Sequence, residues 1–274
     1  MTLADKVVVV TGSTRGIGFA IARSSAQAGA RVVVNSRSQE SVDRALAQLR
    51  AQVPGATFSG FAANIGHSWE VEALMSHAIM AHHGIDVWFN NAGVSNGYRP
   101  LTEESAEEIH DLVTINVIGT MYGAKYLIPY FREHGGYLMN MAGRGWKGEG
   151  PPWTTAYAAS KAAVASLTRS LSAENRDCDR ISINAFVPGM VDTDFYRDEM
   201  VVSPRLAHTS DNVRLALDAF GVPVEEVGRR AAELIAETPG KTTGKVFTMV
   251  TPGRRIVGGA KMAWWGMTGR LKRV

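Results

Sequence analysis

Short, nearly unbroken apolar runs recur along the chain: KVVVV at 6–10, RVVVN at 31–35, DVWFN at 86–90, YLMNM at 137–141 and ISINAF at 181–186. A strand with one wet face alternates apolar and polar positions; a strand covered on both faces does not need to. These runs therefore read as buried parallel strands. Between them, apolar positions return with helical spacing over 17–28, 39–52, 69–83, 105–133 and 155–175. Strand and helix in repeated alternation predict an α/β fold, a doubly wound parallel sheet with helices on both faces. A further strand is expected at KVFTMV, 245–250, after a helix near 223–237, which brings the sheet to about seven strands. The segment 190–222 has no clear period and is expected to form a mobile loop with short helices.

Composition narrows the picture without changing it. A chain of 274 residues, 45% hydrophobic and 20% charged, is long enough for one well-buried domain. That domain is expected to occupy 1–251, with a separate tail over 252–274. The net charge of +3 is unevenly placed: Arg254, Arg255, Lys261, Arg270, Lys272 and Arg273 follow Pro252 with no acid among them, and setting those six aside turns +3 into −3. A mildly acidic body argues against nucleic-acid binding. The single cysteine, Cys178, cannot form an internal disulfide, and it reads as an ordinary half-buried side chain in a reducing compartment. No apolar run reaches the ~20 residues needed to cross a bilayer, and MTLADKVVVVTG lacks the features of a secretion signal. The expected location is the cytoplasm.

Chemistry is concentrated at a few points. In VVVVTGSTRGIGFAIA, Gly12, Gly16 and Gly18 lie between a strand and an amphipathic helix. Glycines there open backbone angles closed to other residues and let a pyrophosphate approach the main chain, while the helix N-terminus offers free N–H groups. Tyr157 and Lys161, four apart in an alanine-rich helical stretch, share one face. A phenol with an ordinary pKa near ~10 is a poor acid–base catalyst at neutral pH, and a neighbouring ammonium favours its phenolate.

The spacing G-x-x-x-G-x-G at 12–18, NNAG at 90–93 and YAASK at 157–161, in that order, resembles the short-chain dehydrogenase/reductase family over roughly residues 5 to 250. The resemblance implies a single-domain Rossmann fold that moves hydride between a nicotinamide cofactor and a carbonyl or secondary alcohol. It places Gly12, Ser13, Arg15, Gly16, Ile17 and Gly18 at the phosphates, and Asn64 and Ile65 of FAANIG at the adenine. Asn90, Asn91, Ala92 and Gly93 are assigned to the adenosine ribose and the central sheet, and Pro188, Gly189, Val191 and Thr193 to the nicotinamide. Tyr157 becomes the general acid/base, with Lys161 lowering its pKa and holding the nicotinamide ribose. Asn116 links the lysine to solvent through its helix backbone and a water. Members pair through the helices carrying Asn116 and Tyr157, so a homodimer or homotetramer is implied.

Two positions depart from the pattern. NAD-preferring members carry an acid at the end of the second strand; the matching residue here is Ser36, followed by Arg37, with Arg15 in the glycine turn. No carboxylate repels a 2′-phosphate and two guanidinium groups can clamp it, so NADP(H) is expected over NAD(H). The second departure lies in NMAGRGWK. Aligning Asn140 with the asparagine of the family's N-x-S-S puts Ala142 and Gly143 where the two serines stand, and the second serine normally bonds the substrate carbonyl. Losing one such donor costs about 2.7–4 kcal/mol, roughly 10²–10³ in rate, if nothing replaces it.

Three readings of that gap stay open. Another group supplies the bond: Arg144, a backbone N–H near Gly143, Thr154 or Thr155. Alternatively Gly143 makes room for a bulky substrate and Tyr157 alone suffices, or the protein is a weak or dead enzyme that binds NADP(H) as a sensor or scaffold. Retention of Tyr157, Lys161 and Asn116 favours an active enzyme; a net-neutral reaction such as epimerisation is a third possibility. Trp146 and Trp153 in the loop before Tyr157 suggest an apolar-walled pocket for a ring-bearing or otherwise large carbonyl compound, or they only pin the loop. Arg144 suits an anionic group on the substrate or is an ordinary solvated side chain. Tyr196, Met200, Val201 and Leu206 fall where the family keeps its substrate lid. For the basic, Trp-containing tail, packing on a neighbouring subunit is expected first. Contact with an anionic membrane and closure over a pocket are the alternatives, and the glycines weigh against a helix there.

Overall fold

A computed structural model describes residues 2–193 and 202–270. Its parallel strands are β1 (Val7–Val10), β2 (Arg31–Ser36), β3 (Phe58–Ala62), β4 (Val87–Asn90), β5 (Gly136–Met141), β6 (Ile181–Val187) and, at the far edge, Val246–Thr248. They form one seven-stranded sheet in the order β3-β2-β1-β4-β5-β6 and then that edge strand. This is the doubly wound Rossmann arrangement. Chain order reverses between β1 and β4, and ligands of such sheets bind at the carboxyl ends of the strands beside that reversal. Residues Met190–Val191 (β7) and Gly221–Val222 (β8) make a separate two-stranded pair, so the edge strand of the main sheet is β9.

Helices α1 (Gly16–Gln27), α2 (Gln39–Gln52), α3 (Ser68–His82), α4 (Ala106–Val113), α5 (Gly119–His134) and α6 (Thr155–Glu174) cover the sheet with α8 (Val224–Ile235). The unbroken apolar runs have the reason proposed for them. Val8, Val10, Val32, Val34, Phe89 and Met139 face one core with α1, α2 and α8, while Val9, Val33, Trp88 and Leu138 face a second with α3 and α5. α1 and α8 approach closely because Gly228 lies against the carbonyl of Ala20, where a β-carbon would collide.

Inside this apolar sheet runs a polar chain. Asn90 and Asn140 are paired neighbours on β4 and β5. The Asn90 amide donates to Asn140 Oδ1 at 2.9 Å, the Asn140 amide donates to Thr168 Oγ1 at 3.0 Å, and Trp88 Nε1 donates to Asn90 Oδ1 at 2.8 Å. Every member is buried.

Two segments depart from the sequence expectation for physical reasons. The helix expected as one unit at 105–133 is two, separated by a π turn at Thr114–Ile118 that an apolar period cannot reveal. Within the segment 190–222, a 3-10 turn (Pro204–Thr209) leads into α7 (Ser210–Phe220). The tail is helical despite its glycines: α9 (Pro252–Met267) is capped by Thr251, whose hydroxyl accepts from the Arg254 N–H at 3.3 Å, with Pro252 at its first position.

Candidate active site

A cleft of about 520 Å³ opens along the carboxyl ends of β1, β2, β4, β5 and β6. At its phosphate end, Gly12 takes φ +61° and Gly16 φ +55°. A β-carbon on Gly12 would sit 2.9 Å from Ala92, and one on Gly18 would run into the carbonyl oxygen of Gly12 and the side chain of Asn91. Asn91 ties this turn to β4, its amide donating to the carbonyls of Thr11 at 2.8 Å and Gly12 at 3.1 Å. α1 begins without a side-chain cap and without an acid in its first turn, which leaves its N-terminus to favour an anion. Gly12, Thr14, Arg15, Gly16, Ile17 and Gly18 line the cleft.

Ser13 does not. Its hydroxyl donates to Val10 O at 2.6 Å and accepts from Asn35 N at 3.0 Å, so it fastens β1 to β2 from a fully buried position. At this end of the cleft the hydroxyl residue on the wall is Thr14.

Further along the wall come Ser36 and Arg37 at the end of β2, then Asn64 and Ile65, with no carboxylate among them. Asn64 is held by its neighbours, its N–H donating to Glu70 Oε2 at 2.7 Å and its Oδ1 accepting from Gly66 at 3.0 Å. Asn91, Ala92 and Gly93 line the centre, and Pro188, Gly189, Val191 and Thr193 line the far side. Asn90 is absent from the wall, being engaged in the buried amide chain. A crowded glycine turn, an uncapped helix end and a continuous groove fit an extended dinucleotide.

At the reacting end, Tyr157 and Lys161 project from α6 into the same cleft. Lys161 is only 3% exposed; its Nζ donates to Met141 O at 3.1 Å and lies 5.5 Å from the centre of the Tyr157 ring. Burial brings its ammonium down from the ordinary lysine range to about 8. Gly143 is buried beside them, and a β-carbon there would come within 2.8 Å of the Tyr157 hydroxyl and 3.2 Å of Lys161 Cγ. The phenol leans into the space a serine side chain would take.

Asn116 sits in the π turn, buried, and does not line the cleft. Its Oδ1 accepts from Val94 N at 2.8 Å, and its amide donates to Val94 O at 2.9 Å and Ser160 Oγ at 3.0 Å. The Thr120 hydroxyl donates to its carbonyl at 2.9 Å. Asn116 thereby clamps the strand-end loop after NNAG onto α6.

The candidate substrate residues separate. Arg144 and Trp146 line the cleft, Trp146 packing against Ala142, Ala185 and Val187. Trp153 does not; its carbonyl accepts from Arg99 N at 2.8 Å, a contact that pins the loop, the second of the two roles open to it. Thr154 and Thr155 are also off the wall. Leu206 is buried. Tyr196, Met200 and Val201 lie outside the described residues.

Sequence reasoning missed other members of the wall. Phe220 at the end of α7 and Arg255 near the start of α9 both line the cleft, as do Thr248 and Val250. They come from segments whose apolar period is weak. Tyr98 was missed as well: burial pushes its phenol up while the nearby Arg144 charge opposes the rise, which puts the two side chains in one neighbourhood.

Comparison with known proteins agrees with this geometry. The model of the short chain dehydrogenase family matches residues 6–200. A 3alpha-hydroxysteroid dehydrogenase of Mediterraneibacter gnavus is 31% identical over 256 residues, 91% of this chain and 97% of that one. Chlorophyll(ide) b reductase NOL of Oryza sativa is 37% identical over 193 residues, 68% of this chain but 56% of the relative's own length. Among solved structures, levodione reductase superposes with a TM-score of 0.81 at 26% identity, covering 95% of this chain and 99% of that one. Matched along most of its length and carrying a nicotinamide-dinucleotide groove that ends at a Tyr/Lys pair, the chain belongs to the short-chain dehydrogenase family of oxidoreductases.

Proposed function

We propose that the protein is an NADP(H)-dependent reductase that interconverts a carbonyl and a secondary alcohol on a bulky or ring-bearing substrate. The observation that carries this reading is the continuity of one cleft from the uncapped N-terminus of α1 to the buried Tyr157–Lys161 pair. The nicotinamide, when bound, supplies or accepts hydride. Lys161 remains largely protonated at neutral pH, and its positive charge beside Tyr157 favours the phenolate. Tyr157 gives its proton to the carbonyl oxygen in reduction and removes the alcohol proton in oxidation. Asn116 positions both by joining α6 to the loop at Val94.

NADP(H) preference is supported by Ser36, Arg37 and Arg15 on one stretch of wall without a carboxylate. Trp146, and relatives named for a hydroxysteroid and for chlorophyll(ide), support a ring-bearing substrate. Arg144 beside Tyr98 suits a polar or anionic substituent. In this reading the enzyme is a cytoplasmic homodimer or homotetramer paired through α4, α5 and α6, where Val113 and Met121 are exposed.

The test is NADPH oxidation over a panel of ketones, diketones and quinones, beside NADH and the variants Tyr157→Phe and Ser36→Asp. Turnover should prefer NADPH, fall by about 10²–10⁴ in Tyr157→Phe with cofactor affinity kept, and shift toward NADH in Ser36→Asp. Tight NADPH binding with no turnover on any compound would instead support the sensor or scaffold reading, for which the absent serine hydroxyl is the motive.

A further inference from the structure

We infer that α9 is an in-plane anchor that docks this protein onto an anionic lipid surface. Among the described residues, the helix is held to the body through one face. Gly258 seats against the Phe220 ring, Lys261 Nζ donates to Asp218 O at 3.3 Å, and Arg254 makes two 2.7 Å bonds to the Glu226 carboxylate. At ~100° per residue, Ala263, Ile256, Met267, Ala260, Trp264 and Val257 fall within an arc of ~120° on the opposite side. That arc holds no polar side chain and stands in solvent: Ile256 is 73% exposed, Val257 57%, Trp264 63% and Met267 77%. Among the described residues, the other large exposed apolar side chains, Trp69, Met80, Leu101, Val113 and Met121, are dispersed over other elements.

Charge decides what covers the arc. Lys261 flanks it, Arg270 follows it, and Lys272 and Arg273 continue the run in sequence; from Pro252 onward the chain holds six cations and no acid, of which Arg254 is paired with Glu226 and Arg255 lines the cleft. A second copy pairing through the same face about a two-fold axis would stack these cations on one another. An anionic bilayer complements them, while Trp264, Met267, Ile256 and Val257 enter the boundary between headgroups and acyl chains. Among the described residues no helix is long and apolar enough to cross a membrane, so α9 lies on the surface. Its inner face holds Phe220 of α7, which lines the cleft, so the anchor is joined to the site by one side-chain contact.

The experiment is co-sedimentation of the full chain with vesicles of phosphatidylcholine alone or mixed with phosphatidylglycerol, with particle mass measured in parallel. Binding to the mixed vesicles should weaken by roughly tenfold or more on phosphatidylcholine alone, in added salt, in Ile256→Ser/Trp264→Ser and in Arg270→Glu. Thermal unfolding and NADPH affinity should be unchanged in these surface variants. No binding to mixed vesicles, or binding that the double serine variant keeps, overturns the inference. So does a fall in oligomer size in that variant, which would assign the face to a second copy.

Discussion

At the phosphate end of the cleft the main chain does the holding: Gly12, Gly16 and Gly18 form a turn so crowded that a β-carbon on Gly12 or Gly18 meets a neighbouring segment. At the reacting end the holding falls to side chains, with Lys161 fixed by Met141 O and Asn116 bridging Val94 and Ser160. The difference teaches where substitution is tolerated. A backbone-built cradle admits nothing larger than hydrogen at Gly12 or Gly18. A side-chain-built centre can lose one group, as at Gly143, while the rest stays assembled.

The strongest way to break this contrast is Gly18→Val. With its first added carbon directed at the Gly12 carbonyl and Asn91, the variant should lose about 3 kcal/mol in urea unfolding and most of its affinity for the dinucleotide. Wild-type stability and binding in that variant would show the turn to be looser than its contacts.

Next comes Lys161, whose ammonium is buried at the reacting end. An unfolded chain keeps this proton to about pH 10.5, whereas the folded chain releases it near 8, so between those values the unfolded state holds more protons. Cofactor-free stability should therefore rise as pH increases from 8 to 10.5, by about 3 kcal/mol, with the full burial cost present below that window. Lys161→Met should remove that rise; equal pH slopes in variant and wild type would show that the ammonium is solvated.

The smallest expected effect is also the sharpest discriminator. Gly143→Ser puts a carbon 2.8 Å from the Tyr157 hydroxyl, so the phenol must shift. Turnover should fall about tenfold, near 1.4 kcal/mol, where an empty donor site would give a gain approaching 10²–10³. A gain would return the gap at Gly143 to being a vacancy.

Legibility from sequence follows the same divide. β1, β2, β4, β5 and β6 were readable to within one or two residues because burial on both faces leaves unbroken apolar runs. β3, FSGFA, was not, since its serine and glycine interrupt the run at the edge of the sheet. The glycine turn and Tyr157/Lys161 could be found because each is local in sequence. The engagement of the Ser13 hydroxyl with Val10 and Asn35 was not legible, because those partners are set by tertiary packing. Phe220 and Arg255 gave no signal, as they reach the cleft only through the packing of α7 and α9. The start of α9 did carry one: a Thr-Pro pair in the cap and first helical positions, outweighed in the reading by the glycines.

The buried amide chain from Trp88 through Asn90 and Asn140 to Thr168 bears on how the sheet finds a single alignment. In a strand that is apolar on both faces, slipping one residue against its neighbour exposes nothing to water, so hydrophobicity alone discriminates weakly between alignments. Slipping β4 against β5 here would strand two asparagine side chains in a dry interior without partners, each at a cost of about 1–3 kcal/mol. Two amides thus act as an indexing pin for the central strands, and the carboxyl ends that carry NNAG and Gly143 arrive at the same height.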